Sequence, residues 1–153
     1  MQFYSTNRKT SPVSLREAVV RGLATDRGLF MPEVIRRFPP AFYQNMKEMT
    51  LREISFVVAE AFFGENVEAG KLKEIVDETL NFDIPLVQVA DNRYSLELFH
   101  GPTLAFKDVG ARFMARLLAY FNKQEGERQV NVLVATSGDT GSAVANGFLD
   151  VSG

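Results

Sequence analysis

The chain contains no cysteine in its 153 residues and only one histidine, His100. Disulfides are therefore excluded, as is any zinc site built on thiolates, and a single imidazole leaves few routes to a transition-metal centre. No metal ligand is assigned. A basic surplus is also missing. Seventeen Lys and Arg stand against 19 Asp and Glu, a formal charge of −2, so nothing argues for a nucleic-acid partner. No apolar run approaches the roughly 20 residues that a membrane span requires. Residues 1–11 are polar, without the charged-then-apolar order of a leader peptide. Internal repeats and low-complexity tracts are absent. These absences leave a soluble globular chain, expected in the reducing cytoplasm, with one ordinary domain or a small domain plus part of a second.

Local signals divide the chain. Phe3–Thr6 reads as a short strand. Ser14-Leu-Arg-Glu17 has the spacing of a capping box and opens a helix with Leu15, Ala18, Val19 and Leu23 on its apolar face. Gly22 and Asp26-Arg-Gly28 break that helix, and Leu29-Phe-Met-Pro32 follows as a short apolar turn or strand. Phe38-Pro-Pro40 marks the next helix entrance, since proline fits a first turn where its missing N–H is not needed. Thr50-Leu-Arg-Glu53 is a second capping box, and its helix runs through Ile54, Phe56, Val57, Ala61 and Phe62 to Gly64. A third helix is expected from about Val67 to Leu80, with Leu72, Ile75, Val76 and Leu80 on one face. These helices form a helical subdomain with a short strand pair, bounded near Asn81–Pro85.

Beyond that boundary the periodicity changes. Leu86–Ala90 and Tyr94–Leu98 alternate like strands around the turn-forming Asp91-Asn-Arg93. A helix is expected over Phe106–Asn122, a charged surface loop over Lys123–Gln129, a buried strand over Asn131–Ala135 and a helix over Gly141–Leu149. Strand, loop and helix in alternation predict an α/β layer with parallel strands.

Two stretches in this second part carry chemistry. Glu97-Leu-Phe-His-Gly-Pro-Thr-Leu-Ala-Phe-Lys-Asp108 places Lys107 at the mouth of a helix. A helix N-terminus disfavours the ammonium form, and burial behind Phe106 and Phe113 is expected to act the same way. Gly101 and Pro102 stiffen the approach. Asp108 reads as a first-turn carboxylate that favours the helix dipole, and His100 as a satisfied loop histidine. The second stretch, Ala135-Thr-Ser-Gly-Asp-Thr-Gly-Ser142, leaves a strand and enters a helix, so its backbone N–H groups converge on one point that suits a carboxylate or phosphate. Gly138 and Gly141 permit the close turn, while Ser137 and Thr140 add hydroxyls.

Together these segments resemble threonine synthases, pyridoxal 5'-phosphate (PLP) enzymes of fold type II, whose catalytic domain is tryptophan synthase β-like. The resemblance implies an N-terminal threonine-synthase-like domain over residues 1–82 and the beginning of the PLP-dependent catalytic domain over 83–153. It implies that Lys107 is the catalytic residue and carries PLP as a Schiff base, and that Ser137, Gly138, Asp139, Thr140 and Gly141 grip the substrate carboxylate beside the cofactor ring. Asp139 stands where many related enzymes have Asn. An acid would repel a substrate carboxylate, so its side chain is expected to face the backbone or the cofactor. The substrate implied is O-phospho-L-homoserine, converted with water to L-threonine and phosphate. The family's loop for the cofactor phosphate and its partner for the pyridine nitrogen have no candidate before Gly153. An N-terminal piece of a longer lyase, inactive alone, is the expectation.

Other readings rest on less. Asp139-Thr-Gly-Ser142 is also the tetrapeptide of aspartic proteases, whose paired aspartates share a proton. Here it occurs once and precedes a helix-like run. Gly138–Ser142 lacks the lysine of a nucleotide P-loop, and no Gly-x-Gly-x-x-Gly occurs. A non-catalytic relative of the same fold, binding a small anion or a partner protein, is the alternative from a different class.

Overall fold

The computed structural model of the chain describes residues 1–124, 126 and 129–151. It is mixed α/β and divides into two compact units, Met1–Asp77 and Glu78–Gly153.

The first unit opens on a small antiparallel sheet. Strand β1 (Gln2–Ser5) lies between β2 (Val13–Ser14) and β3 (Phe30–Pro32), with Phe3 opposite both Val13 and Pro32. The expected strand pair is thus a three-stranded sheet, because Val13 and Ser14 add a short edge before the first helix. That helix, α1 (Leu15–Arg21), is capped by the Ser14 hydroxyl, which accepts from the Glu17 N–H at 3.2 Å. It ends at Gly22, whose φ of 70° is open to glycine at little cost and whose N–H reaches the Ala18 carbonyl. The following turn is organised by Asp26. Its carboxylate accepts from the Ser5 hydroxyl at 2.5 Å and from the N–H groups of Lys9 and Gly28 at 2.9 Å each.

Helix α2 (Pro40–Asn45) starts on proline and runs into a 3₁₀ turn at Met46–Glu48. Thr50 then completes a reciprocal capping box with Glu53 and launches α3 (Leu51–Phe63). Helix α4 (Ala69–Thr79) is shorter at both ends than its periodicity predicts, but the expected face is buried: Leu72, Ile75, Val76 and, just beyond the helix, Leu80.

In the second unit β4 (Leu86–Ala90) and β5 (Arg93–Leu96) form an antiparallel ribbon turned at Asn92, which has φ 57°. Asparagine tolerates that left-handed geometry better than most residues. Helix α5 (Lys107–Gln124) buries Ala115, Leu117, Leu118, Ala119 and Phe121, and α6 (Asp139–Phe148) packs against it. Gly147 makes that packing close: a Cβ there would lie 3.0 Å from the backbone carbonyl of Ala111.

Three expectations are corrected. Both sheets are antiparallel, and no parallel pair exists among the described residues. Asn131–Ala135 is not a strand, and it is exposed, with Leu133 at 93 %. A strand is defined by its ladder, and no neighbouring strand among the described residues offers one. Helix α6 begins at Asp139, two residues earlier than its apolar pattern indicates, because polar Asp139 and Thr140 serve as its first turn. The expected loop Lys123–Gln129 falls partly outside the described residues. Among the described residues, no helix is long and apolar enough to cross a membrane.

Candidate active site

Lys107 is the first residue of α5, and the backbone winds into it through two tight turns. The Asp108 N–H donates to the Ala105 carbonyl at 3.0 Å, and the Val109 N–H to that of Phe106 at 3.4 Å. The lysine side chain is 36 % exposed, and its ammonium reaches the N-terminus of α6, 4.0 Å from Asp139 Oδ2. At that distance the two charges attract without a tight hydrogen bond. Phe106 does not bury the lysine as expected. Its ring is 62 % exposed and lies under the ammonium, 5.4 Å from Nζ to the centroid, a cation–π contact. Residue 106 precedes the helix, so its side chain follows the loop and not the apolar stripe of α5.

Opposite the lysine, Ser137 and Gly138 are exposed and lead into the helix, with the Gly138 N–H held by the Thr136 hydroxyl at 3.2 Å. The Gly141 N–H turns back to the Gly138 carbonyl at 2.9 Å, and the Ser142 N–H reaches the same oxygen at 3.4 Å. The N–H groups of Asp139 and Thr140 precede the helical ladder and remain for an acceptor from outside it. Gly141 is confined, since a Cβ there would stand 2.7 Å from the Thr136 methyl. Asp139 directs its carboxylate toward Lys107 and is largely exposed, so it does not turn back onto its own backbone. The structure thus brings Lys107 and Asp139 together, with Thr140 and Gly141 in the same first turn and Ser137 and Gly138 just before it.

The residues beneath Lys107 carry little signal in the sequence. Asp108 is fully buried and far more than a dipole partner: its Oδ2 accepts from the Thr103 N–H at 2.9 Å and its Oδ1 from the Thr103 hydroxyl at 2.5 Å. Gly101 allows that closure, because a Cβ on it would lie 2.6 Å from Asp108 Oδ2 and 3.0 Å from the Phe82 ring. One turn further along α5, buried Arg112 donates to the carbonyls of Glu78 and Thr79. Burial pushes its pKa down, the nearby Arg116 adds to that, and Asp108 and Glu78 oppose it. His100 is satisfied, as expected, with Nε2 2.7 Å from Glu97 Oε2 and its ring against Phe99. An apolar cleft of about 570 Å³ between residues 130–134 and α6 shares Gly141 with the loop. Lys107, Ser137 and Asp139 do not line it, so it is not the place where a charged ligand would meet the lysine.

A family model described as the threonine synthase N terminus matches residues 2–80. Threonine synthase from Serratia marcescens is 41 % identical over 148 residues, covering 97 % of this chain and 34 % of that protein. The Escherichia coli (strain K12) threonine synthase is 38 % identical with the same coverage. Among solved structures, threonine synthase from Escherichia coli superposes with a TM-score of 0.88 at 38 % identity, covering 99 % of this chain and 35 % of that one. The PLP-bound threonine synthase from Brucella melitensis gives 0.92 at 35 % identity, covering 99 % and 34 %. The chain belongs to the threonine synthase family. It spans about a third of the length of the curated relatives that it matches.

Proposed function

We propose that the chain is the N-terminal part of a PLP-dependent threonine synthase, a lyase that converts O-phospho-L-homoserine and water to L-threonine and phosphate, and that Lys107 holds the cofactor. The carrying observation is the approach of the Lys107 ammonium to the first turn of α6, 4.0 Å from Asp139 Oδ2. The residues present fit PLP in one respect that can be tested on the structure. The only lysine in the His-Gly-Pro-Thr-x-x-Phe-Lys-Asp stretch is reachable by a ligand, faces a helix N-terminus, and is not consumed by a tight ion pair.

When bound, PLP supplies an electron sink for negative charge developing on the substrate. Lys107 would hold it through its amine and, when free of it, would move protons at the substrate's Cα and Cβ. The N–H groups of Asp139 and Thr140, with the Ser137 and Thr140 hydroxyls, suit the substrate carboxylate; Gly138 and Gly141 let it approach. Asp139 faces the lysine and would stay with the cofactor side, away from that carboxylate. Fold type II, a division into residues 1–82 and 83–153, and a cytoplasmic setting belong to the same reading. With only a third of its relatives' length, the chain alone turns over no substrate in this proposal.

The test is reductive trapping. Treated with PLP and borohydride, the longer protein that this reading implies should carry the pyridoxyl label on Lys107, located by peptide mass mapping, and Lys107→Ala should remove it. Label spread evenly over Lys9, Lys47, Lys71, Lys73, Lys107 and Lys123 would sink the assignment and leave anion or partner binding as the better reading.

A further inference from the structure

Next to the lysine, the chain buries a carboxyl side chain. Asp108 has no exposed surface, and both its oxygens accept from Thr103, at 2.9 Å from the N–H and 2.5 Å from the hydroxyl. A buried carboxylate persists only where donors replace its lost hydration. Those two bonds close a loop that contains a strained residue. Leu104 has φ 55° and is 76 % exposed, so neither glycine's freedom nor its own burial accounts for the left-handed backbone. Such a conformation endures where the surroundings over-determine it. The surroundings here are the Asp108 carboxylate on one side and the turn from the Leu104 N–H to the Gly101 carbonyl, 3.0 Å, on the other. The strain therefore sits three residues before Lys107, and its restraint sits one residue after it.

We propose that Asp108 is a positioning residue. By pinning Thr103 it locks the 101–105 turn onto the first turn of α5, and this holds the Lys107 amine in the one orientation from which it meets an aldehyde at the N-terminus of α6. Thr103 is its partner in that role. The inference rests on the reading of Lys107 as the cofactor lysine. The chemistry it serves is condensation of the amine with the aldehyde carbon, in which a carbon–nitrogen double bond forms and one water leaves. In the trapping assay borohydride then delivers hydride to carbon and solvent delivers a proton to nitrogen.

The experiment compares the share of pyridoxyl label on Lys107 with that on Lys9, Lys47, Lys71, Lys73 and Lys123 in the same protein, for wild type, Asp108→Ala, Asp108→Asn and Thr103→Val. Far-UV circular dichroism and melting temperature are followed in parallel. Asp108→Ala and Thr103→Val should lower the Lys107 share by about tenfold, within the roughly hundredfold that a misplaced reacting group can lose, while labelling of the other lysines stays constant. Asp108→Asn, which keeps one acceptor oxygen, should recover part of the loss. A purely structural role would lower the melting temperature without redistributing label. If Asp108→Ala fails to fold, Thr103→Val, which removes only the hydroxyl bond, decides the matter. Variants that fold and keep the wild-type share on Lys107 overturn the positioning role alone. A wild-type protein with no preference for Lys107 overturns the cofactor assignment, and the positioning role with it.

Discussion

The guanidinium of Arg112 spans from α5 to the end of α4, donating to the Glu78 carbonyl at 2.6 Å and the Thr79 carbonyl at 3.3 Å. Carbonyls in the last turn of a helix have no intrahelical donor, and one buried side chain satisfies two of them. Arg112→Met keeps the apolar stem but removes both donors. It should destabilise the folded chain by about 2–4 kcal/mol, read as a lower denaturant midpoint with an unchanged slope. Arg112→Lys should recover little, because an ammonium is a compact point donor without the planar fork.

Two glycines on the α5–α6 pair should respond in opposite directions. At Gly147 an added methyl would meet the Ala111 carbonyl carbon and oxygen at 3.0 Å, and backbone cannot give way cheaply. Gly147→Ala should cost about 1–3 kcal/mol. Gly110 has nothing within 4 Å of its Cβ position and lies in the exposed interior of α5. Gly110→Ala should stabilise by about 0.5–1 kcal/mol. Thermal melts of the two variants check both signs.

The capping box at α3 gives a smaller, local effect. The Thr50 hydroxyl accepts from the Glu53 N–H, and the Glu53 carboxylate accepts from the Thr50 N–H at 2.7 Å. Thr50→Ala should lower stability by about 1 kcal/mol. Amide hydrogen exchange should localise the change, with the first turn of α3 losing protection before the rest of the helix.

Acid should loosen the turn around Asp26. The Ser5 hydroxyl bond lowers its pKa most, partial desolvation opposes, and the N–H groups of Gly28 and Lys9 lower it further, to a value below the ordinary 3.8. A carboxylate with a depressed folded-state pKa binds fewer protons folded than unfolded. Its contribution is therefore complete above the unfolded pKa and is lost as pH falls through the folded one. Stability should fall as the pH drops below about 4. Ser5→Ala should flatten that part of the curve, which urea titrations at successive pH values would show.

The readable parts of the fold share one property: the signal and the structure it specifies lie within a few residues of each other. Ser14, Thr50 and Gly22 act on N–H and carbonyl groups of their own helix ends, and each is found doing so, while Pro40 opens α2 where its missing N–H is not needed. Asp91-Asn-Arg93 turns the ribbon where its chemistry predicts. The misreadings share the opposite property. Asn131–Ala135 has the composition of a buried strand, but a strand also needs a neighbour far away in sequence. Phe106 reads as part of the apolar surroundings that bury Lys107, yet one residue before the helix its side chain is largely exposed and only its ring lies beneath the ammonium. Asp108 reads in the sequence as any first-turn acid, since nothing in the order of residues indicates that its carboxylate turns inward to Thr103.

The amino-acid sequence by itself determined where the capped helices α1 and α3 and the proline-led α2 begin, the presence of Lys107 in its loop, and the Ser-Gly-Asp-Thr-Gly turn, because capping and turn chemistry act over a few bonds. Only the tertiary structure decided that Lys107 meets Asp139, that Asp108 and Arg112 are buried, and that Gly147 is an interhelical contact. Those outcomes depend on which surfaces close against each other, and desolvation is a property of the packed neighbourhood, not of the residue.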